Sequence, residues 1–161
     1  MKQINKHIAL LPLIMAAVVL LDQVIKALIV RKLPLWESTP SVLGFRLHYT
    51  QNTGAAFSFL REHPQVLAVF IGAILLGCIV YLFIGKERPY SQSVCLALIC
   101  AGGLGNLIDR IAYGYVVDYI EPTFVSFAIF NFADMVLTCS VAVWAVLLFR
   151  QTLRERKSPA K

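Results

Sequence analysis

Four apolar runs, each long enough to cross a bilayer, leave this chain few folds. They lie at Ile8 to Val30, Pro64 to Ile84, Ser91 to Ile108 and Phe124 to Phe149. The hydrocarbon core is roughly 30 Å thick and takes about 20 helical residues to span. Inside it every backbone N–H and C=O must find a partner within the protein, which favours helices. The third run is the weakest, because "AGGLGN" lowers both helix propensity and hydropathy, but an interior span shielded by its neighbours tolerates such a stretch. At 161 residues, with 58% hydrophobic content and a mean hydropathy of +0.72, the chain is too apolar for an ordinary soluble domain. The expectation is one all-α integral membrane domain over residues 1–161, with an extracytoplasmic segment at about 31–63 between the first two spans.

Two features imitate processing signals. "MKQINKH" before an apolar run resembles a secretory signal, but no A-x-A-like cleavage site follows and the run continues past Leu21, so a retained first helix is expected. "LLGC", Leu75 to Cys78, resembles a lipid-attachment box. It falls in the middle of the second span and has leucine where a small residue is usual, so it reads as a chance match.

Orientation follows from the basic residues. The N-terminal tail, the loop "GKERPYSQS" and the tail from Arg150 carry nine Lys and Arg against Glu87 and Glu155. The other segments hold six, namely Lys26, Arg31, Lys32, Arg46, Arg61 and Arg110, against seven acids. By the positive-inside rule both termini are expected in the cytoplasm. The net charge of +6 is then explained by topology and by membrane lipid headgroups, with no nucleic acid partner required.

Cys78, Cys95, Cys100 and Cys139 all sit in apolar runs and read as small packing residues rather than a disulfide framework or metal site. His7, His48 and His63 form no H-E-x-x-H or other ligand spacing, and His48 beside Tyr49 reads as an interfacial side chain. No G-x-S-x-G, P-loop or G-x-G-x-x-G is present, so neither a metal nor a cofactor is expected.

The polar residues in or beside the spans are Asp22, Lys26, Asn52, Asn106, Asp109, Arg110, Asp118, Asn131 and Asp134. At 1.5 Å per helical residue, Asp22 lies roughly 22 Å from the cytoplasmic end of its span, Asn106 to Asp109 roughly 22 to 27 Å, and Asp134 roughly 24 Å. These residues form a polar layer near the outer face. Structural readings compete at each position. Asp22 and Lys26, spaced i,i+4, suit a helix-surface ion pair; Asp109 and Arg110 suit interfacial anchoring; Asn131 suits a helix cap. Asp134 is harder to explain this way, because a charge within an apolar span costs about 2.5 to 3.5 kcal/mol. Asp118, in "GYVVDYIEP", gains significance by pairing with it. Two carboxylates close together in a poorly solvated place cannot both ionise readily, so one keeps its proton. The pair then offers a base to activate water and an acid to protonate a leaving amine, which is aspartyl hydrolysis.

Five collinear blocks carry a resemblance: "LDQVIK" (Leu21 to Lys26), "QNTGAAFSF" (Gln51 to Phe59), "GGLGNLIDR" (Gly102 to Arg110), "VVDYI" (Val116 to Ile120) and "FNFAD" (Phe130 to Asp134). In these the chain resembles the bacterial lipoprotein signal peptidases, also called signal peptidase II. The resemblance implies four membrane helices with a small β-rich segment between the first two. It also implies an aspartyl endopeptidase of the bacterial inner membrane, acting on diacylglyceryl-modified prolipoproteins just before the lipidated cysteine, with globomycin as inhibitor. By motif, Asp118 and Asp134 would be catalytic, supported by Asp22, Lys26, Asn52, Gly54, Asn106, Asp109, Arg110 and Asn131. Independently, a lipidated cysteine anchored by its acyl chains presents its scissile bond at the depth of this layer, which the apolar "IEPTFVSFAIF" could cover.

Three other readings stand beside it. A small four-span proton-coupled transporter could use Asp22 and Asp134, although carriers bind near the midplane and show repeats. A peptidase of the presenilin or prepilin type carries G-x-G-D, and neither aspartate here follows a glycine. A non-enzymatic assembly factor would tolerate loss of either carboxylate.

Overall fold

The computed structural model describes residues 8–54, 64–84 and 88–157. Lys2, Lys6, His7, Arg61, His63, Lys86, Glu87, Lys161 and the "AAFSF" end of the second block lie outside them. A single 3-10 turn (Ile8–Leu10) leads into α1 (Leu11–Lys32), which has Pro12 in its first turn, where a missing N–H costs no helical hydrogen bond. The other elements are β1 (Phe45–Asn52), α2 (Pro64–Ile84), α3 (Tyr90–Tyr113), β2 (Val116–Pro122) and α4 (Phe132–Lys157). All four α-helices are long and apolar enough to cross a membrane.

The helix limits depart from the sequence expectation most at the third and fourth spans. The third helix runs past Ile108 to Tyr113, because "NLIDR" continues the helix and the stop is Gly114, whose φ of 80° lets its N–H close back on the Arg110 carbonyl at 3.0 Å. The fourth begins at Phe132 rather than Phe124. The intervening residues bend and run without regular structure as far as Phe130, which exchanges backbone hydrogen bonds of 2.7 and 3.1 Å with Ile120.

α3 is the central helix; 61% of its most apolar window is buried, against 11 to 22% in the other three. Its glycines explain how three helices approach it so closely. A Cβ on Gly102 would stand 2.6 Å from the Ala133 carbonyl of α4, one on Gly103 2.5 Å from the Leu75 side chain of α2, and one on Gly105 2.6 Å from the Asp22 carboxylate of α1. "GGLGN" therefore serves close packing, as small residues do between membrane helices. Below this level Leu11, Met15, Leu82, Leu96, Ala97, Cys100 and Ala101 form an apolar core. Outward-facing residues such as Leu20, Val69 and Ile111 stay exposed, as a lipid-facing surface requires.

The β-rich part is built from two connections, not one. β1, between α1 and α2, pairs antiparallel with β2, between α3 and α4, with Thr50 opposite Asp118 and Asn52 opposite Val116. The register is pinned at Arg46 and Glu121, where the guanidinium donates twice to the carboxylate at 2.7 and 2.8 Å. His48, read from sequence as an interfacial side chain, adds a third contact, Nδ1 to Glu121 Oε2 at 2.6 Å. Arg46 first, and His48 after it, hold the Glu121 carboxyl down to about 2. Ile29, Tyr49, Val117 and Tyr119 pack the sheet onto the end of α1, so Asp118 is set over the helices.

Candidate active site

The site begins at the first turn of α4. Asn131 precedes the helix and accepts the Asp134 N–H on Oδ1 at 3.0 Å, while Asp134 Oδ2 accepts the Asn131 N–H at 3.1 Å. This reciprocal pair is a capping box with an aspartate in the usual glutamate place. The carboxylate also lies at the N-terminal end of the helix dipole. Asp134 therefore has a structural task as well as any chemical one. Asp22 reaches across from α1 to accept the next free donor, the Ala133 N–H, at 3.2 Å.

Asp118 comes from β2 and is almost fully buried. Its Oδ1 accepts Asn131 Nδ2 at 2.7 Å and its Oδ2 accepts Asn52 Nδ2 at 2.8 Å. Asn131 thus holds both carboxylates, that of Asp118 through its side-chain amide and that of Asp134 through its backbone N–H. Asn52 is aimed by Gly54, whose N–H donates to Asn52 Oδ1 at 2.8 Å. Gly54 has a φ of +100°, a backbone shape that favours glycine, and a Cβ there would also press on the end of the Leu67 side chain at 2.9 Å. Burial pushes the Asp118 carboxyl up to about 6; the nearby Asp134 charge adds to this, while the Asn52 and Asn131 hydrogen bonds oppose it.

Behind the two aspartates lies a second buried cluster. Lys26 Nζ donates to Asp22 Oδ2 and Asp109 Oδ2, both at 2.9 Å, and to Asn106 Oδ1 at 2.8 Å. Asn106 Nδ2 in turn donates to Asp134 Oδ1 at 2.7 Å. The i,i+4 pair expected on a helix surface is therefore buried, Lys26 being 3% and Asp22 1% exposed, because Asp109 of α3 closes over it. Asp109 is likewise no interfacial anchor; its Oδ2 also accepts the Val117 N–H at 3.1 Å and fixes the strand residue beside Asp118. Arg110 stands at the margin, half-buried, donating to the Asn106 carbonyl at 3.4 Å.

Two contributors were missed from sequence. Gln23 Nε2 donates to Asp109 Oδ1 at 2.9 Å and to the Gly105 carbonyl at 3.1 Å. Its place inside "LDQVIK" was the available signal. The Tyr119 hydroxyl accepts the Phe132 N–H at 3.1 Å, a long-range contact with no local signature. Among the described residues, no three His, Cys, Asp or Glu side chains are grouped to hold a metal ion.

Comparison with known proteins decides the family. The model for signal peptidase (SPase) II matches residues 14–150. The chain belongs to the signal peptidase II family. It is 38% identical over 149 residues to a lipoprotein signal peptidase of Streptococcus pneumoniae (strain ATCC BAA-255 / R6), covering 92% of this chain and 97% of the relative. A lipoprotein signal peptidase of Brevibacillus brevis is 35% identical over 146 residues, covering 89% and 97%. A solved bacterial membrane enzyme superposes with a TM-score of 0.82 at 29% identity, covering 95% of both chains. As a member of signal peptidase II with four span-length helices, the chain is a multi-pass bacterial membrane protein. Membership does not favour the carrier reading.

Proposed function

We propose that this signal peptidase II is an aspartyl endopeptidase that removes signal peptides from diacylglyceryl-modified prolipoproteins, cutting just before the lipidated cysteine. One observation carries the reading. Asp118 and Asp134, from different elements, are both held by Asn131, through contacts of 2.7 and 3.1 Å. Within this reading the dyad shares one proton. The ionised carboxylate takes a proton from water as the water attacks the scissile carbonyl, and the protonated one gives its proton to the leaving amine of the cysteine. Burial that lifts the Asp118 carboxyl to about 6 supports its carrying that proton at pH values up to about 6.

Asp22, Lys26, Asn52, Gly54, Asn106, Asp109, Arg110 and Asn131 support the dyad, and the chain acts as one integral membrane domain. The basic residues of the tails favour cytoplasmic termini, which puts the dyad near the outer face of the inner membrane. There the acyl chains of the substrate anchor in the bilayer and present the peptide bond at the right depth. Globomycin is expected to compete at this site.

The test is cleavage by purified protein in detergent. The diacylglyceryl-modified precursor should be cut before its cysteine, and the unlipidated precursor should not. Equal cleavage of both would remove the lipid from the substrate definition, and cleavage of neither would remove the assignment.

A further inference from the structure

The dyad reading counts the buried Lys26 among the supporting residues but gives it no specific task. Lys26 is tied to two carboxylates, yet its third hydrogen bond goes to an amide that itself touches Asp134. We propose that Lys26 is a positioning residue, which fixes the orientation of the Asn106 amide so that its NH2 end faces Asp134.

An ammonium group has three donors and no acceptor. Lys26 uses all three, on Asp22 Oδ2, Asp109 Oδ2 and Asn106 Oδ1. Asn106 must therefore show it an oxygen. That same oxygen also accepts Asn131 Nδ2 at 3.0 Å, so two donors converge on it. Turning the amide over would set its NH2 against an ammonium and a second NH2, and its oxygen against the Asp134 carboxylate. Asn106 Nδ2 is left with one direction, toward Asp134 Oδ1 at 2.7 Å.

The two acids around Lys26 have a matching task. Asp22 and Asp109 satisfy the remaining ammonium protons and more than offset its charge, so Lys26 can be buried to 3% exposure. Each acid also holds backbone at the site, Asp22 at the Ala133 N–H and Asp109 at the Val117 N–H. A lysine on α1 thereby sets an amide on α3 that orients a carboxylate on α4. This rests on the dyad reading, because an orientation at Asp134 affects rate only if Asp134 reacts.

The test is a double-mutant cycle in the full-length protein, using cleavage of a lipidated prolipoprotein in detergent. Lys26→Gln is combined with Asp22→Asn, so that the buried cluster keeps its formal charge while the obligate donor is lost. The variant should melt near wild type, keep its KM and lose about 10- to 100-fold in kcat, the worth of a hydrogen bond to a charged group. Placed in an Asn106→Ala background, the same pair of substitutions should cost less than about twofold further. Equal losses in both backgrounds, or an unchanged kcat in the folded variant, would overturn the proposal. A second readout needs no change at Lys26. In wild type, the Asn106 side-chain amide protons, assigned by their loss in Asn106→Ala, and the Lys26 ammonium protons should both exchange slowly with solvent. Rapid exchange of either would also overturn it. Should Asp134→Asn retain full activity, the dyad reading fails instead, whatever the cycle gives.

Discussion

Removing the amide of Asn52 should move the pH profile upward. Asn52 donates to Asp118 Oδ2 at 2.8 Å and so favours the charged form of a carboxyl that burial has already pushed up to about 6. In Asn52→Ala that support is gone, and the proton is held more tightly. A hydrogen bond to a charged group contributes about 1.5 to 3 kcal/mol, and each pH unit corresponds to 1.36 kcal/mol, so the displacement is about 1 to 2 pH units. If the singly protonated dyad is the active form, kcat/KM in wild type falls as pH rises past about 6, where Asp118 gives up its proton. In the variant that falling limb should appear at about pH 7 to 8, on a maximum lowered by about 100- to 1,000-fold for the lost orientation of Asp118. The assay is initial-rate cleavage of a lipidated prolipoprotein across pH 5 to 9, with folding checked at each pH. A limb that stays at the wild-type pH, or moves down, would refute the role of Asn52 in setting the charge of Asp118.

Other outcomes follow from the same geometry. Gly54→Ala forces a side chain onto a φ of +100° and against Leu67 at 2.9 Å, so it should misdirect Asn52 and lower kcat while the helices stay assembled, as circular dichroism and cleavage rates would show. Leu43 holds a φ of 52° at the hairpin tip while 96% exposed, so Leu43→Asn relieves about 1 kcal/mol of strain with no packing lost and should raise the melting temperature in detergent; a fall would mean that contacts outside the chain hold the leucine. Cysteines placed at Glu37 and Thr123 should react with an impermeant maleimide in intact cells, whereas tags at either terminus should stay protected; a reactive N-terminus would invert the topology.

The helices were legible because a 20-residue apolar run has one common solution in a bilayer. The limits of α4 were not, since the sequence does not announce that Phe130 will pair with Ile120 and delay the helix to Phe132. The same kind of long-range pairing hid the sheet. β1 and β2 come from separate connections, and nothing local says that Thr50 will stand opposite Asp118. Asn131 read as a cap and is one, but its second contact, to Asp118, depends on where β2 arrives. Lys26 and Asp22 read as a pair because i,i+4 spacing is a local rule. Their burial depends on Asp109, more than eighty residues away, and on Gly105, which leaves room for the Asp22 carboxylate. Charges that look expendable one at a time become a closed network only when α3 brings them together.

The most direct test of the account is single-turnover cleavage of a diacylglyceryl-modified prolipoprotein by Asp118→Asn and Asp134→Asn. Each variant should be purified in detergent, shown to be folded by its melting transition, and normalised to inserted protein. An amide has nearly the shape of the carboxylate but cannot take up the proton from water or return it to the leaving amine. The account predicts no cleavage by either variant under conditions in which wild type goes to completion. Near-normal turnover by either folded variant would contradict it.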